Sequence, residues 1–458
     1  MSSHRDEVNK ELERRKELRQ KREAQRRKAE QERKMLMLRL VMAGIVLLGV
    51  TVTIIAFALG GGQTGETAGT NPPETLNGTT APVQTEPVTT GNAGLYESDA
   101  PAEEYTTIHI AAAGDLNVTD QMIANAMTTV GYDFTGAFLD VAPVMSRADL
   151  TLLNYEGTFG GTEYGASTGA APGQLAQAMA AMGVDAVQTA NSASIRSGVL
   201  GLQSTIQALR NAGIEPIGTF ADASAFRSSG GYTVLEVKGL RIALVGFTKG
   251  MDNLGLPEGS EDCVNLLYED YTTSYEEIDA DGIRKILRRV EEEQPDLTIA
   301  MVHWGSEYNE TVSKSQTRIK DILLGGGVDV VLGTHSHLLK TIEHDEENNT
   351  LVAYSLGDFY GDAPQPGSNY SVILDIQVTR DNVTGETKID GFTYTPIYTV
   401  KPEQSAAGGL RVVRIHEAMA RYEGNYLGKV SPEVYGSMEY VLGRIEQRIT
   451  PEQKNEKN

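Results

Sequence analysis

Between Leu40 and Gly60 the chain runs for 21 residues (LVMAGIVLLGVTVTIIAFALG) without a charge. At ~1.5 Å per residue a helix of that length crosses ~30 Å of hydrocarbon, so the run predicts a transmembrane helix. The charges on either side give it a direction. Residues 1–39 hold 14 Lys/Arg against 8 Asp/Glu, a balance of +6, whereas the remainder of the chain stands at −28. A Lys/Arg excess beside a first span keeps that flank in the cytoplasm. The expectation is a single-pass cell-membrane protein, N-terminus inside and acidic C-terminal body outside. A cleaved signal peptide is the competing reading, because Ala56-Phe57-Ala58 resembles a small-residue cleavage site. The apolar stretch is too long, and its charged leader too extended, for cleavage to be favoured. Residues 1–39 themselves read as a charged helix. Its interspersed Glu residues dilute the basic runs and argue against a nucleic-acid partner.

Residues 61–104 are Gly, Thr, Pro, Asn and Glu with almost no large apolar side chain, a composition that predicts a flexible linker. From Tyr105 the pattern changes to short apolar runs alternating with helical stretches. Strands are expected over Thr107–Ala113, Asp149–Asn154, Asp185–Ala190, Leu240–Phe247, Leu297–Val302, Val328–Leu332 and Leu351–Ser355. Helices are expected over Gln174–Met182, Leu200–Ala212, Asp281–Glu292 and Lys314–Leu324. That alternation predicts an α/β fold built on largely parallel sheets over 105–400. Residues 401–458 read as a helical extension, with helical periodicity over Leu410–Arg421 and Pro432–Arg448. The single cysteine, Cys263, excludes an internal disulfide and is read as a small buried hydrophobe.

Chemistry-bearing residues gather where these strands end. Asp115, Glu156, Asn191, His303 and the pair His335/His337 each follow the C-terminal end of an expected strand, the edge at which open α/β sheets bind ligands. Carboxylates with two or three imidazoles suit a divalent ion such as Mn²⁺, Fe²⁺ or Zn²⁺. Two such ions would need a bridging carboxylate, for which either Asp115 or Glu156 is placed. In Gly333-Thr334-His335-Ser336-His337 the imidazoles stand at i and i+2, and on an extended segment they would point the same way. Asn154, Trp304, Glu307, Tyr308 and Asp358 are candidates to support these ligands. Glu307 and Tyr308 are read either as partners orienting His303 or as simple polar surface, and Trp304 as an indole packed beneath the site.

From Thr107 to Phe359 the chain resembles the CapA family of capsule-synthesis proteins, themselves similar to calcineurin-type metallophosphoesterases. The resemblance rests on Gly114-Asp115, Asn154-Tyr155-Glu156, Ala190-Asn191, the His303-to-Tyr308 block, Gly333-to-His337 and the Tyr354-to-Phe359 block. It implies a two-layer α/β sandwich with a metal edge formed by Asp115, Glu156, His303, His335 and His337. It also implies an outer-surface domain in poly-γ-glutamate capsule synthesis or export, with other capsule-synthesis membrane proteins and an anionic polymer as partners. Several positions depart from the family pattern. Ala190-Asn191-Ser192-Ala193 stands where the family writes Ala-Asn-Asn-His, Arg196 replaces a later acidic residue, and Asp358 replaces an Asn. Asn117 stands where true phosphoesterases carry a further His ligand. The ligand frame is thus partly kept and the acid–base machinery is incomplete, so a degenerate metal site is expected. The alternatives are an active phosphoesterase or polymer hydrolase and a purely structural surface protein.

Overall fold

The computed structural model describes residues 104–405 and 407–449. The charged helix expected over 1–39, the membrane span over 40–60 and the linker up to residue 103 lie outside the described residues. Among the described residues no helix is long and apolar enough to cross a membrane.

Two sheets face each other. Their strands, in chain order, are β1 (Tyr105–Asn117), β2 (Leu150–Glu156), β3 (Ala186–Gln188), β4 (Glu215–Ile217), β5 (Thr233–Val237), β6 (Leu240–Thr248), β7 (Leu297–His303), β8 (Val330–Thr334), β9 (Ile342–Asp345), β10 (Thr350–Ala353), β11 (Asp358–Tyr360), β12 (Tyr370–Asp381), β13 (Thr387–Val400) and β14 (Arg411–Arg414). The first sheet has the order β14-β13-β12-β1-β2-β3-β4, with β11 also pairing to β1. The second has the order β9-β10-β8-β7-β6-β5. Every strand expected from the sequence is present. The first sheet is parallel from β1 through β2 and β3 to β4 and antiparallel from β1 through β12 and β13 to β14, and the second is parallel at its centre (β6 with β7, β7 with β8, β8 with β10) and antiparallel at both flanks. The long pairing of β12 with β1 and with β13 makes the first sheet mixed, more so than the sequence suggests.

The principal core lies between the sheets. Ile108, Ile110, Leu150 and Leu152 of the first sheet share it with Leu240, Ile242, Leu244, Ile299 and Leu332 of the second. Helices cover both outer faces. Gln174–Ala181 (α1) packs outside the first sheet through Leu175 and Met179. Ala280–Glu292 (α2) and Lys314–Gly325 (α3) cover the second through Ile283, Leu287, Ile319 and Leu323. Asp279 caps α2, and Ser313 with Gln316 forms a capping box on α3, so polar side chains satisfy backbone donors at each start. The two layers expected thus resolve into two facing sheets, each clad in helix. Cys263 is buried, as read from the sequence.

The segment read as helical over Leu410–Arg421 divides. Arg411–Arg414 is strand β14, paired antiparallel to β13, and only Ile415–Glu423 (α4) is helix. A four-residue apolar-centred run carries too little periodicity to separate the two states, and the free edge of β13 decides it. The final helix, Pro432–Ile449 (α5), lays Val434, Met438, Val441 and Ile445 into the same core as the sheets. Residues 411–449 are therefore packed against the body.

Candidate metal centre

Close backbone contacts build the rim. After Ala112 the register of β1 on β2 slips, and Asp115 pairs with Asn154. The Asp115 N–H donates to the Gly357 carbonyl at 2.9 Å. A Cβ on Gly114 would lie 1.8 Å from that same oxygen, so only glycine admits the approach. A Cβ on Gly333 would lie 2.2 Å from the Tyr354 carbonyl, so the backbone comes this close before the histidines only as glycine. Trp304 is fully buried, and its indole N–H donates to that Tyr354 carbonyl at 2.9 Å.

Two ligand groups face each other at this rim. Glu156, His303 and His335 each offer one donor atom within 4.8 Å of the others, and so do Asp115, His337 and Asp358. Within the first, the His303 and His335 rings are 4.4 Å apart, and His303 Nδ1 lies 3.4 Å from Glu156 Oε1. Within the second, His337 Nδ1 lies 2.7 Å from Asp358 Oδ1 and 3.7 Å from Asp115 Oδ2. The Asn154 amide stitches the groups together, donating to Asp115 Oδ1 at 2.7 Å and to Glu156 Oε1 at 3.3 Å.

The histidine pair departs from expectation. His335 and His337 have φ of 85° and 56°, left-handed backbone rather than extended strand. Their rings are 6.4 Å apart and serve different groups. Strained, non-glycine backbone of this kind persists where the surroundings over-determine it, and the His335 N–H donating to Asp115 Oδ2 at 3.1 Å is one such restraint.

Asn191 lies beside the two groups, hydrogen-bonded to Asn154. Its amide donates to Asn154 Oδ1 (3.0 Å) and the Tyr155 carbonyl (2.7 Å), while its own oxygen accepts from the Ala193 N–H (3.0 Å). It braces Asn154, and its oxygen, which accepts one hydrogen bond, keeps a second lone pair. Ser192 donates to Glu156 Oε2 at 3.1 Å. Glu307 is exposed and lines a neighbouring cavity; the polar partner of His303 is Thr334 Oγ1, at 3.2 Å. Tyr308 stacks on His337, ring centroids 5.3 Å apart, and so orients that imidazole rather than His303. Asp358, read as a support, stands among the ligand atoms, with Asn117 donating to its Oδ1 at 2.9 Å.

Sequence reasoning missed Gln188, Thr334 and Lys249. The buried Gln188 amide donates to the Phe247 and Met301 carbonyls, both at 3.2 Å, joining the first sheet to the second directly beneath the rim. A lone Gln at a strand end gives no composition signal. Lys249, one residue past β6, could have been found by extending the strand-end rule to cations.

Electrostatics point to a cation. Burial pushes the carboxyls of Asp115 and Glu156 up, to about 7 and about 8. Burial holds His303 and His335 well below the ordinary imidazole value, hence neutral and able to donate a lone pair. For His337 burial pulls down, but the Asp358 hydrogen bond and the surrounding carboxylates outweigh it and lift the ring to about 11. The raised carboxyls show that one imidazolium does not compensate three carboxylates here, and a divalent cation would let all three ionise. His303 Nε2, His335 Nδ1 and Asp358 Oδ2 are buried without a hydrogen-bond partner, an expensive arrangement that ligation would relieve. The residues present fit a divalent metal.

A mixed α/β body with two facing sheets and a carboxylate–imidazole rim at the strand ends is the class of protein defined so far. The family model for bacterial capsule synthesis protein PGA_cap matches residues 109–363, more than half of the chain, and the chain belongs to that family. It is 24% identical over 214 residues to the capsule biosynthesis protein CapA of Bacillus anthracis, covering 46% of this chain and 48% of that one. It is 25% identical over 225 residues to the PGA biosynthesis protein CapA of Bacillus subtilis (strain 168), covering 47% and 51%. The chain thus spans about half the length of the curated relatives it matches. The crystal structure of the calcineurin-like phosphoesterase YfkN from Bacillus subtilis aligns over 64% of this chain and 90% of that one, at 15% identity and a TM-score of 0.40. So low a score says nothing about activity.

Proposed function

We propose that this chain is a membrane-anchored, outer-surface component of capsular polyglutamate synthesis or export, whose rim holds divalent metal and is weakly catalytic or non-catalytic. The observation that carries the reading is the convergence of six ligand residues in two groups, three of their donor atoms buried and unpartnered. Family membership supports the capsule assignment, and the charge-free run over 40–60 with its basic flank supports the anchor. Glu156, His303 and His335 would hold one ion, and Asp115, His337 and Asp358 a second. When bound, such ions supply Lewis acidity to an oxygen of the substrate. Asn154 and Asn191 hold the carboxylates in place, and Trp304 keeps water from beneath them. Ala193 is an aliphatic side chain where the family pattern has an imidazole, so protonation of a leaving group lacks that acid, a contribution of ~10²–10⁴ in rate. The body's balance of −28 opposes direct attraction to a polyanion, so polymer contact would run through bridging cations or a local basic groove.

The test is metal analysis of the purified full chain together with phosphodiester hydrolysis under Mn²⁺. Bound metal without turnover is the expected result. Turnover abolished in H335A would favour a hydrolase instead, and neither metal nor turnover would leave a structural surface protein.

A further inference from the structure

Beside the imidazole-rich group lies a cavity of about 360 Å³, bounded by Ser192, Lys249, Asn253, Tyr275, Glu307 and His335 among others. Lys249 reaches it by the same geometry that delivers the histidines. It follows Thr248, which pairs with His303 in the β6–β7 ladder, and its N–H donates to the His303 carbonyl at 2.8 Å. Its ammonium donates to the Gly305 carbonyl at 3.0 Å and sits 4.4 Å above the Tyr275 ring. Neither contact is an anion. The side chain is half-buried, while the acids at the cavity, Asp252 and Glu307, are exposed and screened by solvent.

The wall around it is built rather than loose. Asp252, Asn253 and Tyr275 all adopt left-handed backbone (φ 50°, 63° and 56°), and the Tyr275 hydroxyl donates to Asn253 Oδ1 at 3.2 Å. Beneath them, a Cβ on Gly250 would lie 2.6 Å from the Tyr271 carbonyl, so the chain passes here only as glycine. Asp and Asn take left-handed backbone readily in turns, so of the three Tyr275 is the uncommon case, and its hydroxyl contact with Asn253 ties the wall together.

We propose that Lys249 forms an anion-binding subsite beside the imidazole-rich group, taking a carboxylate or phosphate of the ligand on which the rim acts. A partly desolvated ammonium on which only the exposed carboxylates of Glu307 and Asp252 act, neither in an ion pair with it, is incompletely compensated, and it stands next to a group that would itself hold a cation. An anion between the two satisfies both, which neither the Gly305 carbonyl nor the Tyr275 ring can do. The proposal deepens the metal-centre reading and rests on it for the far side of the anion, whereas the lysine side stands on the cavity alone.

Calorimetric titration of the full-length chain, metal-free and Mn²⁺-loaded, with orthophosphate and with glutarate tests it in wild type, K249Q and K249R. The loaded wild type is expected to bind at least one probe. K249Q should weaken that binding tenfold or more, as loss of a charge-assisted contact does, and K249R should stay within about threefold. Mn²⁺ affinity should change less than twofold in K249Q, because Lys249 is not a ligand. Glutarate alone binding would identify a carboxylate ligand, and phosphate alone a phosphate ester; either supports the subsite. Equal binding by K249Q and wild type, or no binding of either probe to the loaded wild type, overturns it. If Mn²⁺ fails to bind wild type, the metal-centre reading falls instead. The metal-free arm then decides, with lysine-dependent anion binding supporting the subsite and its absence overturning it.

Discussion

The two ligand groups at the rim differ in what they ask of a cation. Glu156, His303 and His335 present one carboxylate and two neutral imidazoles, a borderline-soft set suited to Zn²⁺ or Fe²⁺. Asp115, His337 and Asp358 present two carboxylates and one ring, a harder set suited to Mn²⁺. The first is assembled from strand ends of both sheets; in the second, His337 is already engaged by Asp358 at 2.7 Å. The contrast teaches that one rim can prepare its halves differently. The imidazole-rich half keeps unpartnered nitrogens on neutral rings, whereas the carboxylate-rich half keeps one unpartnered oxygen, Asp358 Oδ2, and an imidazolium that must lose a proton before it ligates.

The largest expected effect comes from H335A, which removes a donor from the imidazole-rich half only. Metal titration should show that half losing about 100-fold or more in affinity while the other is retained; equal loss from both would erase the distinction. D358N comes next. It removes charge from the carboxylate-rich half and should weaken that half by about 10–100-fold, read by Mn²⁺ titration, with the other half unmoved.

K340M serves as a control on the loop that carries both histidines. Lys340 is 2% exposed, and its ammonium bonds the Thr311 carbonyl and Gln316 Oε1. Burial pulls its pKa down from 10.5 to about 8. A folded value below the unfolded one means that stability is present above about 10.5 and is lost as pH falls through about 8. K340M should therefore gain on wild type by about 1–3 kcal/mol as pH falls between those limits, seen by urea unfolding at pH 10 and 8, with metal titration unchanged. A gap that ignores pH would mean the lysine is not desolvated. The smallest effect is S192A, which deletes one hydrogen bond to Glu156 Oε2 and should shift metal affinity in the imidazole-rich half by less than about tenfold.

The expected strands were readable because buried parallel strands are near-continuous apolar runs, as in LTIAMVH of β7. Strand β13 passed unread, since TKIDGFTYTPIYTV mixes polar and aromatic residues without a clean period and its strand state comes from pairing with a neighbour, whereas the unread β12 carries a legible alternation in LDIQVT. The rim was readable as residue types at strand ends, Asp115, Glu156, His303, His335 and His337 among them. Its division was not, because φ at His335 and His337 depends on contacts with Asp115 and Asp358, far away in the chain.

Sequence alone determined the kind of chemistry available, since ligand type is a property of each side chain, and it determined the apolar and charged segments, since hydropathy and charge are summed locally. Tertiary structure alone decided which side chains share an ion's reach. Asp358 stands with Asp115 and His337 because the pairing of β11 with β1 brings together residues far apart in the chain, which no local pattern records.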